Sequence, residues 1–461
     1  WEDFNPINDG QVREMIEAGD TLGVFYIESP ATRQLLQKMG NGSFRHVVAA
    51  SSLIRPAANR WINEYVDRLH GKSWRLAAPA DEVLKETLGI MAYQEDVMRI
   101  AVHCAGFSPR QADELRRILG KKAAGLRLED ARERFTSGCV LNGMSTADAA
   151  DLWEMVHSFA GYSFCKAHSA SYAMVSYRLA WVKRYYPHVF FTAVINNGGG
   201  FYAAQTYLNA ARCRGIGVKK PDVNQSGMGC TVHGKAILLG LGQLQHVPGA
   251  FIERLLIERR ERGGFSSFAD FISRLSPSLV ELRQFIRSGA CDCIACGLTR
   301  PQLFWQYART LVEKNQARLF DDSPPPLPVG DYAPEQKMRD EYESLGLHID
   351  RHPVIVQRLH LLRLLGSQSR LINSTKIAAC VDRRIVIAGI LVAYKKVRTR
   401  NRLDMQFLTF EDEFGLFEAV MFPDVYRHWI GRLHWGVAYG VKAMVLEDRS
   451  AISLQINSMI D

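Results

Sequence analysis

The chain has 461 residues, with 57 Lys and Arg against 48 Asp and Glu, a formal charge of +9 and an isoelectric point near 9.1. At 47% hydrophobic and 23% charged residues the composition is globular, which excludes disorder, collagen-like repeats and coiled coil. The length allows about three domains of roughly 150 residues. No apolar run reaches the roughly 18–20 residues that span a bilayer; the best, Ile385 to Tyr394, stops at Lys395.

The chain opens on Trp1-Glu2-Asp3-Phe4, without initiator Met, basic flank or apolar signal region, so it is expected to begin inside a longer protein. Nine cysteines, an odd count, are scattered along it, which points to a reducing, cytoplasmic setting rather than a disulfide framework. The charge is unevenly placed. From Met155 to Pro221, 67 residues contain no Asp or Glu, where the chain-wide density of 48 in 461 predicts about seven. The same window carries Lys166, Arg178, Lys183, Arg184, Arg212, Arg214, Lys219 and Lys220. A stretch without carboxylates suits a polyphosphate or nucleic-acid surface, since a misplaced acid repels such a ligand over about 8 Å. A buried apolar helix that is acid-free by chance is the plainer reading.

In chain order, the first 200 residues read as mostly helical. Val97, Ile100, Ala101 and Cys104 recur at helical spacing before Gly106. Ser108-Pro109-Arg110-Gln111 is a helix start with Ser at the N-cap, Pro at the first turn and Gln closing a capping box. Ala112, Leu115 and Leu119 mark the apolar face of that helix, and Gly120 ends it. A further helix is expected from about Ser169 to Tyr186, stopped by Pro187. Gly198-Gly199-Gly200 separates this block from a second helical region, about 201–300, in which Phe251 to Arg262 forms an amphipathic helix before Gly263-Gly264. Asp321 to Pro334 carries five prolines and reads as an extended linker. From about Arg384 the pattern turns to strands: Ile385–Val392, Phe407–Phe410, Phe417–Phe422, Val437–Leu446 and Ile452–Ile456. Five short strands in about 75 residues suit a small barrel such as an OB-fold.

Several chemistries find no support. There is no Asp-x-Asp, His-Glu-x-x-His or Gly-x-Ser-x-Gly. Gly71-Lys72-Ser73 imitates the end of a phosphate loop, but Val66 stands where its first Gly is needed. Cys291, Cys293 and Cys296 lack a nearby fourth ligand for zinc. His348 and His352 lie in a turn before Pro353, and Glu411-Asp412-Glu413 reads as a solvated hairpin turn. No metal site is expected in this chain.

A series of motifs, in order, resembles the bacterial C-family DNA polymerases, the polymerase III alpha subunit and its error-prone relatives. They are Thr21-Leu22-Gly23-Val24-Phe25-Tyr26-Ile27-Glu28-Ser29-Pro30, then Leu53-Ile54-Arg55-Pro56, then Gly89-Ile90-Met91-Ala92-Tyr93-Gln94-Glu95. Ala112-Asp113-Glu114-Leu115-Arg116-Arg117 and the long Gly161-Tyr162-Ser163-Phe164-Cys165-Lys166-Ala167-His168-Ser169-Ala170-Ser171-Tyr172 follow. The chain departs from the family pattern at Arg55-Pro56-Ala57-Ala58, where Arg-Pro-Gly-Pro is usual, and at Cys165-Lys166-Ala167-His168, where Asn-Lys-Ser-His is usual. Both are similar to a divergent or error-prone branch.

The resemblance implies a multidomain protein, with mainly α fingers and helix-hairpin-helix region followed by an all-β OB-fold barrel. Its expected divisions are fingers at 1–200, tandem helix-hairpin-helix at 201–300, a linker with a sliding-clamp motif at 301–345 and the OB-fold at 346–461. The palm and its metal-binding aspartates would lie upstream, so the Mg²⁺ of the full-length enzyme would have its ligands outside this chain, and no catalytic residue is assigned within it. This chain alone is therefore expected to be inactive. Arg55, Arg116, Arg117, Lys166, His168 and Tyr172 would bind the incoming dNTP, with Lys166 opening an acid-free helix and His168 excluding a 2′-hydroxyl. Val247 and Gly249, with Arg254 and Arg259 on the next helix, would hold primer-template duplex through its phosphates. His246 stands at the first glycine position of that hairpin; Arg283 and Ser288-Gly289 mark the second. Gln316, Leu319 and Phe320 match the short clamp-binding motif. Tyr394, Lys395, Lys396, Arg398, Arg400 and Arg402 would form a basic loop, free of acids, that tracks single-stranded template. A non-catalytic DNA-binding and clamp-tethering protein is the alternative, and no membrane role is implied.

Overall fold

The computed structural model describes residues 4–54, 59–120, 126–158, 165–313, 329–365, 371–399 and 401–460. Arg55, Arg400 and the clamp motif Gln316, Leu319 and Phe320 lie outside the described residues. The chain forms two compact units, Trp1–Tyr185 with Asp448–Ala451 and Tyr186–Glu447 with Ile452–Asp461.

The first unit is helical, and its order follows from apolar periodicity. Helix α1 spans Phe44–Leu53, α2 Gln94–His103, α3 Pro109–Gly120 and α4 Lys166–Tyr185. The two apolar stripes legible in the sequence, Val97, Ile100, Ala101 and Cys104 on α2 and Ala112, Leu115 and Leu119 on α3, are at most 3% exposed and share one core with Phe135 and Trp153. The capping box of α3 is formed: the Ser108 hydroxyl accepts from Gln111 N at 3.4 Å, and Gln111 Oε1 accepts from Ser108 N at 2.8 Å.

Helix α4 begins at Lys166, three positions before the expected Ser169. Its buried face combines Ser169, Ala173, Ser176 and Ala180, small enough to let α1 approach closely, with the large Tyr177. The contact is sealed by a 2.7 Å hydrogen bond between the buried Ser52 and Ser169 hydroxyls. The last turn of that face holds Lys183, whose side chain is fully buried. Its ammonium donates to Asp20 O at 2.9 Å, Asp20 Oδ1 at 3.1 Å and Leu22 O at 2.8 Å. A charge so placed is tolerated because each donor finds an oxygen.

The second unit combines helices with two sheets. After α5 (Ala204–Cys213), a three-stranded sheet forms from β1 (Val218–Lys219), β2 (Thr231–His233) and β3 (Ala236–Leu238), in the order β1-β3-β2. The sequence read this region as helical only; strands of two or three residues leave too short a pattern to see. Helices α6 (Gly249–Arg262), α7 (Phe268–Leu275) and α8 (Leu279–Arg287) follow, then α9 (Pro334–Leu345).

The barrel uses β5 (Arg384–Arg398), β6 (Asp404–Asp412), β7 (Gly415–Met421), β8 (Ala438–Asp448) and β9 (Ala451–Ile460), with the two-residue β4 (Leu371–Ile372) beside β5. Their order β5-β6-β7-β9-β8 closes through β5–β8, and β7 runs parallel to β9. Helix α10 (Pro423–Trp429), between β7 and β8, sends Tyr426 and Trp429 into a core with Ile387, Leu408, Phe410 and Val441. This is the topology of an OB-fold. Among the described residues no helix is long and apolar enough to cross a membrane.

Candidate nucleotide and nucleic-acid interface

Three surfaces carry the expected side chains, one in the first unit and two in the second. The first lies at the start of α4. Lys166 Nζ is 2.6 Å from Glu86 Oε2, in an ion pair exposed by nearly half on both sides. The Lys166 backbone N–H donates to the Glu95 carboxylate, 3.0 and 3.2 Å from its two oxygens. Its ammonium lies 5.6 Å from the centre of the Tyr93 ring. Arg45, at the start of α1, donates to the carbonyl of the same Glu86. Two residues further along α4 an aromatic shelf begins. His168 and Tyr172 are 4.0 Å apart between centroids, and Tyr172 meets Tyr26 edge-on at 4.9 Å and Phe25 at 5.2 Å. The shelf is braced by the Ser176 hydroxyl, which donates to Phe25 O at 2.8 Å. Tyr26 sits at φ 70°, a left-handed conformation unusual for a bulky residue.

This geometry corrects the sequence in one respect. A window without carboxylates along the chain is not without them in space. Glu86 answers Lys166, Asp20 answers Lys183, and within the second unit Asp350 and Glu341 answer Lys220 at 2.8 and 3.1 Å. Arg116 and Arg117 are likewise both paired to Asp113, at 2.8 and 2.7 Å, one turn back on α3. Of the expected nucleotide ligands, Lys166, His168 and Tyr172 share α4, while no hydrogen bond or ion pair among the described residues joins Arg116 or Arg117 to them. Arg45 and Glu86 were missed by the sequence reading. Arg45 stands alone among apolar neighbours, and Glu86 is one acid among several.

Beside this surface Asp96 caps α2. One of its oxygens accepts from Ala92 N at 3.0 Å and Tyr93 N at 2.9 Å, and burial pushes its carboxyl up from 3.8 to about 6. In the second unit His348, stacked on Tyr342 at 4.9 Å, is driven down to about 4 by burial, then by His352 and Arg212. The signs are opposite. A carboxyl raised in the fold holds its proton more tightly when native, so Asp96 costs stability as pH rises from 3.8 to 6, about 2–3 kcal/mol in all. A histidine lowered in the fold contributes stability that is lost as pH falls from its unfolded value of 6.5 toward 4. Asp96→Asn, which keeps the acceptor, is expected to flatten the pH dependence of the first unit between 4 and 6, and His348→Gln that of the second between 6.5 and 4. Melting curves of both variants across that range check the signs.

The second surface is the helix-hairpin-helix region. His246 takes φ 58°, the left-handed conformation for which glycine is the natural choice. Gly249 opens α6, whose N-terminus has no side-chain cap, and a Cβ added there would meet nothing within 4 Å. The expected cations are partly committed inside the module: Arg254 donates to Leu275 O at 2.8 Å and Arg259 to Val223 O at 2.9 Å. The second hairpin is closed instead. At Gly289, φ 81°, a Cβ would fall 2.3 Å from Arg300 Nη2, whose guanidinium is paired with Asp292 at 2.8 Å. Val247 is half-buried beside the open hairpin.

The third surface is on the barrel. Tyr394 to Arg398 belong to β5 rather than to a loop, and β6 begins at Asp404. Nor is it free of acids. Asp404, opposite Arg398 in register, pairs with Lys396 at 2.8 Å and Arg398 at 3.4 Å. Lys395 and Arg402 make no ion pair among the described residues. Tyr394 lies 5.2 Å from Trp435 between centroids, and both are more than half exposed. The sequence reading passed over Trp435, although a Trp between His434 and Gly436 ahead of a strand is a usable signal.

The acidic turn Glu411-Asp412-Glu413 is not solvated. Asp412 is fully buried and Glu411 2% exposed. Asp412 accepts from Ser374 N and Oγ, Phe414 N and Gly415 N. Glu411 pairs with the buried His352 at 3.1 Å, and Glu413 with Arg358. Cys293 Sγ lies 3.3 Å from Asp222 Oδ1 beside the buried Cys291. Among the described residues no group of three or more His, Cys, Asp or Glu could hold a metal ion. Glu411 and Glu413 are each engaged on one oxygen by His352 and Arg358, with the other oxygen buried and unpartnered, and Asp412 is taken up by Ser374 and its own turn, so the three carboxylates do not converge as a magnesium pair would need.

In chain order the protein thus carries a helical unit with an aromatic shelf at the start of α4, a helix-hairpin-helix region and a closed OB barrel. Residues 3–143 match the family described as the bacterial DNA polymerase III alpha subunit finger domain, and residues 215–303 match the helix-hairpin-helix motif. The chain matches the C-terminal region of the C-family DNA polymerases, their fingers and helix-hairpin-helix. It is 32% identical over 446 residues to an error-prone DNA polymerase of Anaeromyxobacter dehalogenans, covering 92% of this chain and 38% of that protein. It is 32% identical over 445 residues to the DNA polymerase III subunit alpha of Thermus aquaticus, 92% of this chain and 36% of that one. With the subunit from Staphylococcus epidermidis the identity is 30% over 474 residues, 99% and 43%. The chain thus spans about two fifths of the length of these relatives.

Proposed function

We propose that this chain is the substrate-holding part of a cytoplasmic, template-directed DNA polymerase acting in replication or error-prone translesion synthesis. The observation that carries the reading is the start of α4, where Lys166 and Arg45 converge on Glu86, the lysine on its carboxylate and the arginine on its backbone carbonyl, beside the His168–Tyr172 shelf. Cations on a polyphosphate and an aromatic face beside the sugar and base are what positioning of a dNTP requires, and fixed cations stabilise charge in transfer. His168 would stand against a 2′-hydroxyl. Arg55, Arg116 and Arg117 would join this work in the whole protein, whose bond-forming chemistry lies with residues other than those described. Open Gly249 supports phosphate contact with duplex DNA at the first hairpin, with Val247, Arg254 and Arg259 around it. Gln316, Leu319 and Phe320 would engage the sliding clamp.

For the barrel, the Tyr394–Trp435 pair beside Lys395 supports stacking of single-stranded template. Tyr394→Ala and Trp435→Ala are each expected to weaken binding of a single-stranded oligonucleotide by about 1–3 kcal/mol, and the wild-type affinity should fall as salt rises. Fluorescence anisotropy measures both. Unchanged affinity in both variants, or binding indifferent to salt, would refute this arm of the proposal.

A further inference from the structure

We propose that Glu86 is an internal competitor for the anion site at the start of α4, so that an incoming triphosphate must displace its carboxylate from Lys166. The inference rests on the nucleotide-binding reading above. Its basis is the difference between how the backbone and the side chain of Glu86 are held. The backbone is tied at two carbonyls: Arg45 donates to Glu86 O, and Arg68 Nη1 to Leu88 O at 2.7 Å. Leu88 and Gly89 follow at φ 54° and 74°, and the Trp74 ring packs so closely on Gly89 that an added Cβ would lie 2.5 Å from it. The carboxylate therefore starts from a fixed point. The side chain itself is 44% exposed and makes one ion pair, 2.6 Å from Lys166 Nζ. An exposed pair of this kind is weak and screened by salt, so a polyanion carrying several charges can replace it. Glu95 does the same for the backbone, since its carboxylate takes the Lys166 N–H. The site is thus neutral when empty, which keeps weakly bound anions off Lys166 and Arg45.

The test is equilibrium binding of dATP, inorganic triphosphate and 2′-deoxyadenosine to the full chain as wild type, Glu86→Gln, Lys166→Gln and the double variant. Removing one screened negative charge should tighten dATP and inorganic triphosphate about two- to fivefold, leave 2′-deoxyadenosine unchanged, and have no effect once Lys166 is Gln. The Glu86 side chain is exposed, so a melting curve matching wild type is expected and verifies folding. If Lys166→Gln weakens triphosphate binding while Glu86→Gln leaves it unchanged or weaker, the competitor role is wrong and the nucleotide site stands. If Lys166→Gln changes nothing, the nucleotide site is wrong and the competitor role falls with it.

Discussion

Asp412→Ala is expected to destabilise the barrel-bearing unit by about 3–5 kcal/mol, because it removes a fully buried carboxylate on which several part-buried donors converge. Its carboxylate, fully buried, takes Ser374 N at 2.7 Å, Ser374 Oγ at 2.6 Å, Phe414 N at 2.9 Å and Gly415 N at 3.0 Å. Three of these are backbone N–H groups fixed by the turn, part-buried and aimed at the carboxylate, so they lose their acceptor together. The same residue ends β6 where it meets β7, opposite Gly415, so the damage should centre on that hairpin. Asp412→Asn keeps one acceptor oxygen and should cost markedly less. Hydrogen exchange across β6 and β7, with denaturant unfolding of the unit, measures the effect. A variant with wild-type protection would show that the turn does not hold the barrel end.

Lys183→Met should cost the first unit about 3 kcal/mol, the scale of breaking a buried charged contact from one side. The methionine keeps the packing of the stem but leaves Asp20 O and Leu22 O without their donor. Those carbonyls open the loop that carries Phe25 and Tyr26 onto Tyr172. The variant should therefore expose residues 20–28 to proteolysis and weaken dNTP binding although Lys183 touches no proposed ligand. Intact resistance of the loop, together with an unchanged melting temperature, would show that Lys183 is not its anchor.

The two predictions mark where the sequence was legible and where it was not. Periodic positions were read directly: the stripes of α2 and α3 and the strand pattern from Ile385 onward reappear in the cores. Charge pairing was not, because it is decided between distant segments. Lys183 and Asp20 are far apart in sequence, as are Lys166 and Glu86, and one-dimensional charge density treats each as unanswered. The Glu411-Asp412-Glu413 run failed for the opposite reason. Three consecutive acids at a turn look solvated, yet Ser374, His352 and Arg358 arrive from other elements to receive them. At Lys396 and Arg398 the pairing is local, with Asp404, and was lost by reading a long strand as a loop. The motif from Cys165 to Tyr172 was informative because helix α4 brings its lysine, histidine and tyrosine onto adjoining turns, so spacing alone carried the geometry.

Photo-crosslinking with an azido-substituted deoxyadenosine triphosphate, in the presence of primer-template DNA, tests most directly whether the start of α4 receives the nucleotide. The label should map to peptides holding Phe25–Tyr26 or residues 165–172, and unlabelled dATP should compete it away. Labelling confined to other segments, or labelling that excess dATP does not reduce, would contradict the proposal.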